Sequence, residues 1–221
     1  ARDLGCIPPS IFIPIAEERG ISGPLSQLVL RRATLAAQNW PTDLLLSFNL
    51  SPSQLVDQNT GLHILAILDS TGFDARRLEI EITETGLMSD PVSAKRIIGD
   101  LRRCGIGISL DDFGTGQSSL GRLREFPFGK LKIDRSFVSS ILDDRPSEHI
   151  VRAILAMCEG LQMDVVAEGI EQEEQATRLR DFGCRAGLSL RQARRFRRDA
   201  RPPARGAAQP APAALMPARP V

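Results

Sequence analysis

The chain has 221 residues, of which 42% are hydrophobic and 25% are charged, and this composition predicts one soluble domain with a substantial core. No apolar run is long enough to span a bilayer and no signal peptide is visible, so we expect a cytoplasmic location. The four cysteines lack Cys-x-x-Cys spacing and there are only two histidines, which argues against a zinc site or a disulfide framework.

Charge is divided unevenly along the sequence. Residues 185–221 carry nine Arg and one acid, whereas residues 1–184 carry a net charge of −7. The 185–221 segment is rich in Ala, Pro and Arg and lacks apolar periodicity, so we expect a folded domain over 1–184 and a disordered tail. A basic tail can bind nucleic acid or anionic lipid. We expect no DNA or RNA polymer as a partner, because a different origin, given below, accounts for the composition.

Predicted helices and strands alternate along residues 1–184. The helical patterns cover residues 12–20, 27–40, a short stretch opened by Ser51 and Pro52, 61–70, 91–103, 146–161 and 172–182. The predicted strands cover residues 44–50, 78–83, 106–110, 131–134 and 163–167. Apolar and acidic residues alternate along Leu78–Thr83, which predicts a half-buried strand. Helices between successive strands are typical of parallel βαβ units.

Polar side chains occupy the ends of these predicted strands. They are Asn49, Glu81, Asp111, Asp112, Lys132 and Glu168. Because the carboxyl ends of parallel strands converge on one mouth of a barrel, we expect these side chains to lie together. Four carboxylates and one amide, without His or Cys, form a hard oxygen site suited to Mg²⁺ or Mn²⁺. Two such ions would clamp a phosphate and activate a water molecule, which a buried Lys would orient.

The two adjacent aspartates precede a loop that contains Gly114 and Gly116, and residues 118–120 are predicted to open the next helix. Because side chains alternate along a strand, Asp111 and Asp112 should point in different directions. One would face a metal ion in the barrel axis, and the other would reach a second ion or a water molecule.

Each of these polar residues also has an ordinary structural interpretation. The alternatives are Asn49 holding a turn, Glu81 exposed on the surface, Asp112 or Glu168 capping a helix, and Lys132 paired with Asp134 or another carboxylate. Such roles are individually common. They do not explain why each strand should end in this way, so the functional interpretation of the whole set is favoured.

Six stretches, in order and at matching spacing over about residues 4–184, resemble the successive motifs of the EAL domain family. They are Phe12-Ile-Pro-Ile-Ala-Glu-Glu, Asn49-Leu-Ser-Pro, Glu81-Ile-Thr-Glu84, Asp111-Asp-Phe-Gly-Thr-Gly, Leu131-Lys-Ile-Asp-Arg-Ser-Phe137 and Val166-Ala-Glu-Gly-Ile-Glu171. The resemblance implies an α/β fold of the TIM-like (β/α) barrel type. It also implies hydrolysis of cyclic di-GMP to linear pGpG with Mg²⁺ or Mn²⁺.

The resemblance further implies roles for single residues. The implied metal ligands are Asn49, Glu81, Asp111 and, at a second metal site, Asp112. The implied catalytic residues are Lys132, which would orient the attacking water, Glu168, a proposed general base, and Glu84, which would stabilise the loop after Asp112. No substrate-binding residue is assigned.

Two features depart from the family's pattern. The Glu-Ala-Leu stretch, whose Glu is a metal ligand, would precede Ala1, and the sequence does not begin with Met, so we expect a fragment without the first strand. After Cys184 the expected Gln-Gly-Tyr-Leu-Phe is absent, yet residues 186–193 can be encoded so that the neighbouring frame reads Gln-Gly-Tyr-Leu-Phe-Gly-Lys. This indicates a frameshift near codon 185. We therefore expect an incomplete barrel without its first and last strands, with exposed sheet edges and an out-of-frame tail.

Two functions of different class fit these observations. The first is a cyclic di-GMP phosphodiesterase, of which this fragment would be an inactive or weakly active part. The second is a receptor module that binds the dinucleotide without chemistry. No motif residue present in the chain is substituted, which favours the first. The expected partners are cyclic di-GMP, an upstream sensor or diguanylate cyclase domain in the parent protein, and a second copy in a homodimer. Such an upstream domain would be able to tether the parent to a membrane.

Overall fold

The sheet organises the part of the chain that the structure describes. The structure is a computed structural model that describes residues 7–114, 124–184 and 215–217. Its strands are β1 (Leu44–Leu50), β2 (Leu78–Thr83), β3 (Gly107–Phe113), β4 (Lys130–Ile133), β5 (Asp164–Ala167) and β6 (Leu215–Pro217). The order across the sheet is β5-β4-β3-β2-β1-β6, in which β1 to β5 are parallel and β6 runs antiparallel to β1. The sheet does not close within these residues, so the fold is the incomplete α/β barrel that the sequence predicts.

Helices separate most of the strands. They are α1 (Pro9–Glu18), α2 (Ser22–Ala37), α3 (Pro52–Val56), α4 (Thr60–Thr71), α5 (Glu84–Ser89), α6 (Pro91–Arg103), α7 (Arg135–Ser139), α8 (Arg145–Gly160) and α9 (Glu173–Asp181). Two of the longer helices begin at an aspartate whose carboxylate accepts the backbone N–H three residues later, at Asp90 for α6 and Asp144 for α8. Within residues 7–114 and 124–184, no helix combines the length and apolarity needed to cross a membrane.

The strand β2 is buried on both faces, so the prediction of a half-buried strand was wrong. Ile80 and Ile82 are 0% exposed, and the acidic residues between them, Glu79 and Glu81, are only 4% and 3% exposed. A parallel strand with helices on one face and the barrel interior on the other has no solvent face. The acidic residues are tolerated there because each pairs with a lysine of β4.

The strand β3 is longer than predicted and includes both aspartates. Its pairing with β4 is regular at Leu110 and shifts before Phe113, which marks a bulge at Asp111 and Asp112. Asp112 lies within this irregularity and has a φ of 55°, in the left-handed region. The bulge alters the simple alternation that the sequence predicts for the two carboxylates. The predicted helix opening at residues 118–120 lies outside the described residues.

Residues 215–217 belong to the segment that the sequence analysis expects to be disordered. They form the three-residue strand β6, which pairs with the first residues of β1. Residues 185–214 and 218–221 lie outside the described part of the chain, so the expectation of a disordered tail stays a prediction.

Candidate active site at the strand ends

A single buried ammonium group brings together carboxylates from three other parts of the sheet. The Nζ of Lys132, on β4, lies 2.9 Å from Glu81 Oε2, 2.6 Å from Glu168 Oε1 and 3.4 Å from Asp111 Oδ2. Glu81 is on β2, Asp111 is on β3, and Glu168 directly follows β5. The strand ends therefore converge, as parallel pairing predicts.

Asp134 is not among the partners of Lys132. Its carboxylate accepts hydrogen bonds from the Ser136 hydroxyl and, at 2.9 Å, from the Ser136 backbone N–H, which caps α7. The hydroxyl hydrogen bond first, and the backbone one after it, hold the pKa of Asp134 below its usual range. The ordinary interpretation of Lys132 is confirmed in its second form, because the lysine pairs with carboxylates other than Asp134. Its partners are the residues predicted to share the site.

The charge state of Lys132 follows from competing effects. Burial alone would lower the pKa of the lysine, but the negative charges of Glu81 and Asp111 and hydrogen bonds with Glu168 and Glu81 together raise it above its usual value. The ammonium group therefore stays charged across the physiological pH range. It provides one positive charge among four carboxylates.

Two carboxylates at this site hold their protons more tightly than usual. Burial raises the pKa of Glu81, and the attraction of Lys132 only partly opposes this effect. Burial also raises the pKa of Asp112, and the negative charges of Asp111, Asp134 and Glu168 raise it further. Burial is thus the first cause of both pKa shifts, and repulsion between like charges adds to it at Asp112.

The donor chemistry of the site fits a divalent cation. Oxygen atoms of carboxylates are the ligands that Mg²⁺ and Mn²⁺ prefer. Oε1 of Glu81 and Oε2 of Glu84 are buried and make no hydrogen bond. The Ser47 hydroxyl lies near enough to Glu81 to oppose the rise of its pKa, yet its geometry does not reach that of a hydrogen bond. A cation would give such oxygens a partner and would relieve the repulsion at Asp112.

The side chains are not arranged as a ready metal cage. In residues 7–114 and 124–184, no group of three or more His, Cys, Asp or Glu side chains is placed to hold an ion together. Glu81, Asp111 and Glu168 instead turn toward the Lys132 ammonium. Cation binding would require at least some of these carboxylates to change partners.

The remaining predicted residues lie around this cluster. Asn49 is on β1 directly beside Glu81 in register, with an exposed side chain. Asp112 donates its backbone N–H to Asp111 Oδ1 at 3.0 Å. Glu84 is the first residue of α5 and is 6% exposed. The loop that it was predicted to stabilise falls largely within residues 115–123, outside the described residues. The metal and loop roles of these three residues stay predictions.

Sequence reasoning missed two buried serines on the inner face of the sheet. Ser109 is 0% exposed and lies beside Glu81 in register, and Ser47 is 7% exposed and lies beside Glu79. The signal that would have found them is strand periodicity. Ser47 precedes Asn49 by two residues and Ser109 precedes Asp111 by two, so each shares a strand face with a predicted ligand.

Comparison with known proteins gives consistent results. The sequence profile of the EAL domain family matches residues 1–188. The cyclic di-GMP phosphodiesterase RocR of Pseudomonas aeruginosa is 38% identical over 186 residues, which cover 82% of this chain and 47% of RocR. The structure of the PaMucR phosphodiesterase in complex with c-di-GMP superposes with a TM-score of 0.77 at 34% identity, covering 83% of this chain and 76% of that one.

A further similar structure is a calcium and cyclic di-GMP complex of Klebsiella pneumoniae BlrP1. It has a TM-score of 0.73 at 29% identity and covers 82% of this chain and 46% of that one. The chain spans between 22% and 47% of the length of the first curated relatives it matches. Those relatives therefore contain substantial regions beyond the matched part.

Proposed function

The chain belongs to the EAL domain family, and we propose that its strand-end cluster is the cation-binding and hydrolytic site of a cyclic di-GMP phosphodiesterase. The observation that carries this proposal is the convergence of Glu81, Asp111 and Glu168 on Lys132. One similar protein is named a cyclic di-GMP phosphodiesterase, and two similar structures are complexes with cyclic di-GMP. The proximity of three carboxylates to one buried lysine supports the proposal.

The proposed cofactors are two Mg²⁺ or Mn²⁺ ions. Asn49, Glu81 and Asp111 would hold one, and Asp112 would contribute to the second. When bound, such ions supply positive charge that stabilises the phosphoryl oxygens and lowers the pKa of water. The buried Oε1 of Glu81, which lacks a hydrogen-bond partner, supports the assignment of this residue as a ligand.

The chain's own residues would then position the reactants. Lys132 keeps its proton at physiological pH and can donate hydrogen bonds to the oxygen of the attacking water. Glu168 has a side chain that is 39% exposed at the mouth of the site, where it can accept the proton that this water releases. Attack on one phosphodiester breaks one phosphorus–oxygen bond, and the ring opens to linear pGpG.

We further propose that this chain alone hydrolyses cyclic di-GMP weakly or not at all. The 221 residues contain neither Glu-Ala-Leu nor Gln-Gly-Tyr-Leu-Phe, so one carboxylate ligand expected from the resemblance is not supplied. Fewer charged ligands lower the affinity for a divalent ion. Binding and turnover should therefore be measured separately.

The first test is cation binding by the chain itself. Mn²⁺ is titrated against the protein and free Mn²⁺ is followed by electron paramagnetic resonance. Asp111→Asn should weaken binding by about tenfold or more, because the amide lacks the charge that a divalent ion favours. Asp100→Asn is the matched control, since Asp100 is a half-exposed acid of α6 that pairs with Arg103. Equal binding by both variants would contradict the site assignment.

A receptor function is the second candidate. It is favoured by the absence of a ready metal-holding group within residues 7–114 and 124–184. A receptor would bind cyclic di-GMP with the same affinity in chelator as with a divalent ion, and it would never form pGpG. The enzyme interpretation instead predicts metal-dependent turnover once the missing strands are supplied. Isothermal titration in chelator, paired with product chromatography, separates the two.

The remaining features of the parent protein are also proposals. We propose a cytoplasmic location, assembly as a homodimer, and an upstream sensor or diguanylate cyclase domain. The large share of each matched relative that lies outside the matched region supports the presence of further domains in such proteins.

A further inference from the structure

A second ion pair lies on the inner face of the sheet, one step below the candidate site. Lys130 Nζ pairs with Glu79 Oε2, and the two side chains are only 16% and 5% exposed. Lys130 precedes Lys132 by two residues on β4, and Glu79 precedes Glu81 by two residues on β2. The two pairs therefore repeat on the same faces of the same strands. The proposed hydrolysis assigns no role to the lower pair.

Both pairs join strands that are not neighbours. The strand β3 lies between β2 and β4, so each lysine must cross over it to reach its glutamate. The residues of β3 that stand beside the two glutamates are Gly107 and Ser109, which are small. A Cβ atom at Gly107 would lie 3.7 Å from Glu79 Oε2, so the carboxylate rests directly beside this glycine. Small side chains on β3 thus leave the lysines room to cross.

The pairing of β4 with β3 is irregular at the position of Lys132, whereas the pairing of β4 with β5 stays regular there, with Lys132 beside Val166. Regular pairing between β3 and β4 includes Ser109 with Lys130 and Leu110 with Leu131, and it shifts before Phe113 pairs with Ile133. Lys132 falls within this irregular part, opposite the bulge. A shift of register by one residue moves a side chain to the other face of a sheet. Lys130 therefore lies in the last part of β4 that pairs regularly with β3 before the candidate site.

We propose that Glu79 and Lys130 are positioning residues, whose ion pair fixes β4 against β2 across the bulge and so holds the Lys132 ammonium beside Glu81. The pair acts through the strand that Lys132 shares with Lys130, and it touches no reacting group itself. Its consequence for hydrolysis rests on the proposed function. The placement of Lys132 does not, and it can be measured without cation or dinucleotide.

The lysine content of the chain makes this measurement direct. The sequence contains only three lysines, Lys95, Lys130 and Lys132, and Lys95 is exposed. In protein labelled with ¹⁵N-lysine, the two buried ammonium groups should exchange protons slowly enough to be observed by NMR, whereas that of Lys95 should not. Lys130→Arg removes one of the two signals and keeps the positive charge opposite Glu79, so the signal that remains belongs to Lys132.

The expected result is a change in the NMR signal and proton exchange of Lys132 when only the Glu79–Lys130 pair is altered. Glu79→Gln should shift the Lys132 ¹⁵N signal and speed its proton exchange by about tenfold or more, within the range of coupling in one ion-pair network. The double variant Glu79→Lys with Lys130→Glu should restore slow exchange at Lys132. Glu148→Gln is the matched control, because it breaks a half-buried pair with Arg152 on α8.

Further outcomes would overturn the proposal. If Glu79→Gln leaves the signal and exchange of Lys132 within about twofold of the unaltered chain, the lower pair does not position it. The same conclusion follows if the apolar pair Glu79→Leu with Lys130→Met preserves both, because then only packing matters. If Glu79→Gln does not fold, the charge-reversed double variant decides: a parent-like Lys132 signal supports positioning and an altered one refutes it. Loss of the phosphodiesterase assignment would leave every one of these results unchanged.

Discussion

Removing the Lys132 charge is the sharpest perturbation that the structure offers. Lys132→Met leaves Glu81, whose side chain is 4% exposed, without the one ion-pair partner that it has among the described residues, and leaves Asp111 without the same ammonium. Removal of one member of a buried ion pair typically costs about 3–5 kcal/mol. The side chain of Glu168 is 39% exposed, so loss of its ion pair with Lys132 should add no more than about 1 kcal/mol to this cost. We expect the free energy of unfolding to fall by about 3–5 kcal/mol in chelator.

The assay is urea unfolding followed by circular dichroism, with and without Mn²⁺. Mn²⁺ should recover a larger part of the stability in Lys132→Met than in the unaltered chain, because the ion supplies the missing positive charge. Lys95→Met is the control, since this exposed lysine should change stability by less than about 0.5 kcal/mol. An unaltered free energy of unfolding in Lys132→Met would refute the reasoning, as would an equal loss with and without Mn²⁺.

The pH dependence of this variant provides a sign test. Burial already raises the pKa of Glu81, and loss of Lys132 should raise it further. Glu81 in the variant therefore binds a proton as the pH falls, and the stability difference from the unaltered chain should shrink toward about pH 5. Lys132 itself has a raised pKa, so its own contribution is complete below its usual unfolded pKa and is lost only as the pH rises through the folded value. A difference that grows in acid would contradict this account.

Three further predictions concern other parts of the fold. Gly169→Ala should cost about 1–3 kcal/mol in urea unfolding, because Gly169 has a φ of +70° and its added Cβ would lie 2.8 Å from Arg135 Cβ. Gly99→Ala, within α6 where nothing lies within 4 Å, should instead stabilise by about 0.5–1 kcal/mol, and a loss would refute this. Alkylation followed by peptide mass spectrometry should modify exposed Cys104 in the native protein and spare Cys158, whose pKa burial raises to about 12; equal modification would contradict the burial.

Local patterns were sufficient to predict much of the fold. The bounds of β1, β2 and α6 agree with the residues expected from apolar periodicity, helix caps and prolines. The short helices α5 and α7 were missed because five or six residues cannot display a helical period. The capping side chains of Thr83 and Asp134, which accept from Gly86 and Ser136, were the signals available.

Long-range pairing was the part that sequence could not supply. The acidic residues of β2 looked like a solvent face because their partners, Lys130 and Lys132, lie 51 residues further along the chain. The bulge at Asp112 likewise depends on how β3 meets β4. Strand ends can be predicted to converge from topology alone, whereas the choice of ion-pair partner depends on side chains that cross an intervening strand.

The most direct test of the central claim is hydrolysis of cyclic di-GMP by a version of the chain that carries an upstream Glu-Ala-Leu strand and Gln-Gly-Tyr-Leu-Phe after Cys184. Product is followed by chromatography with Mg²⁺, with Mn²⁺ and in chelator, beside the unaltered chain. We predict that the extended version forms pGpG only with a divalent ion, that Asp111→Asn abolishes this activity while leaving the circular dichroism unchanged, and that the unaltered chain forms at most traces. Full turnover by the unaltered chain, or binding without any pGpG by the extended one, would contradict the account.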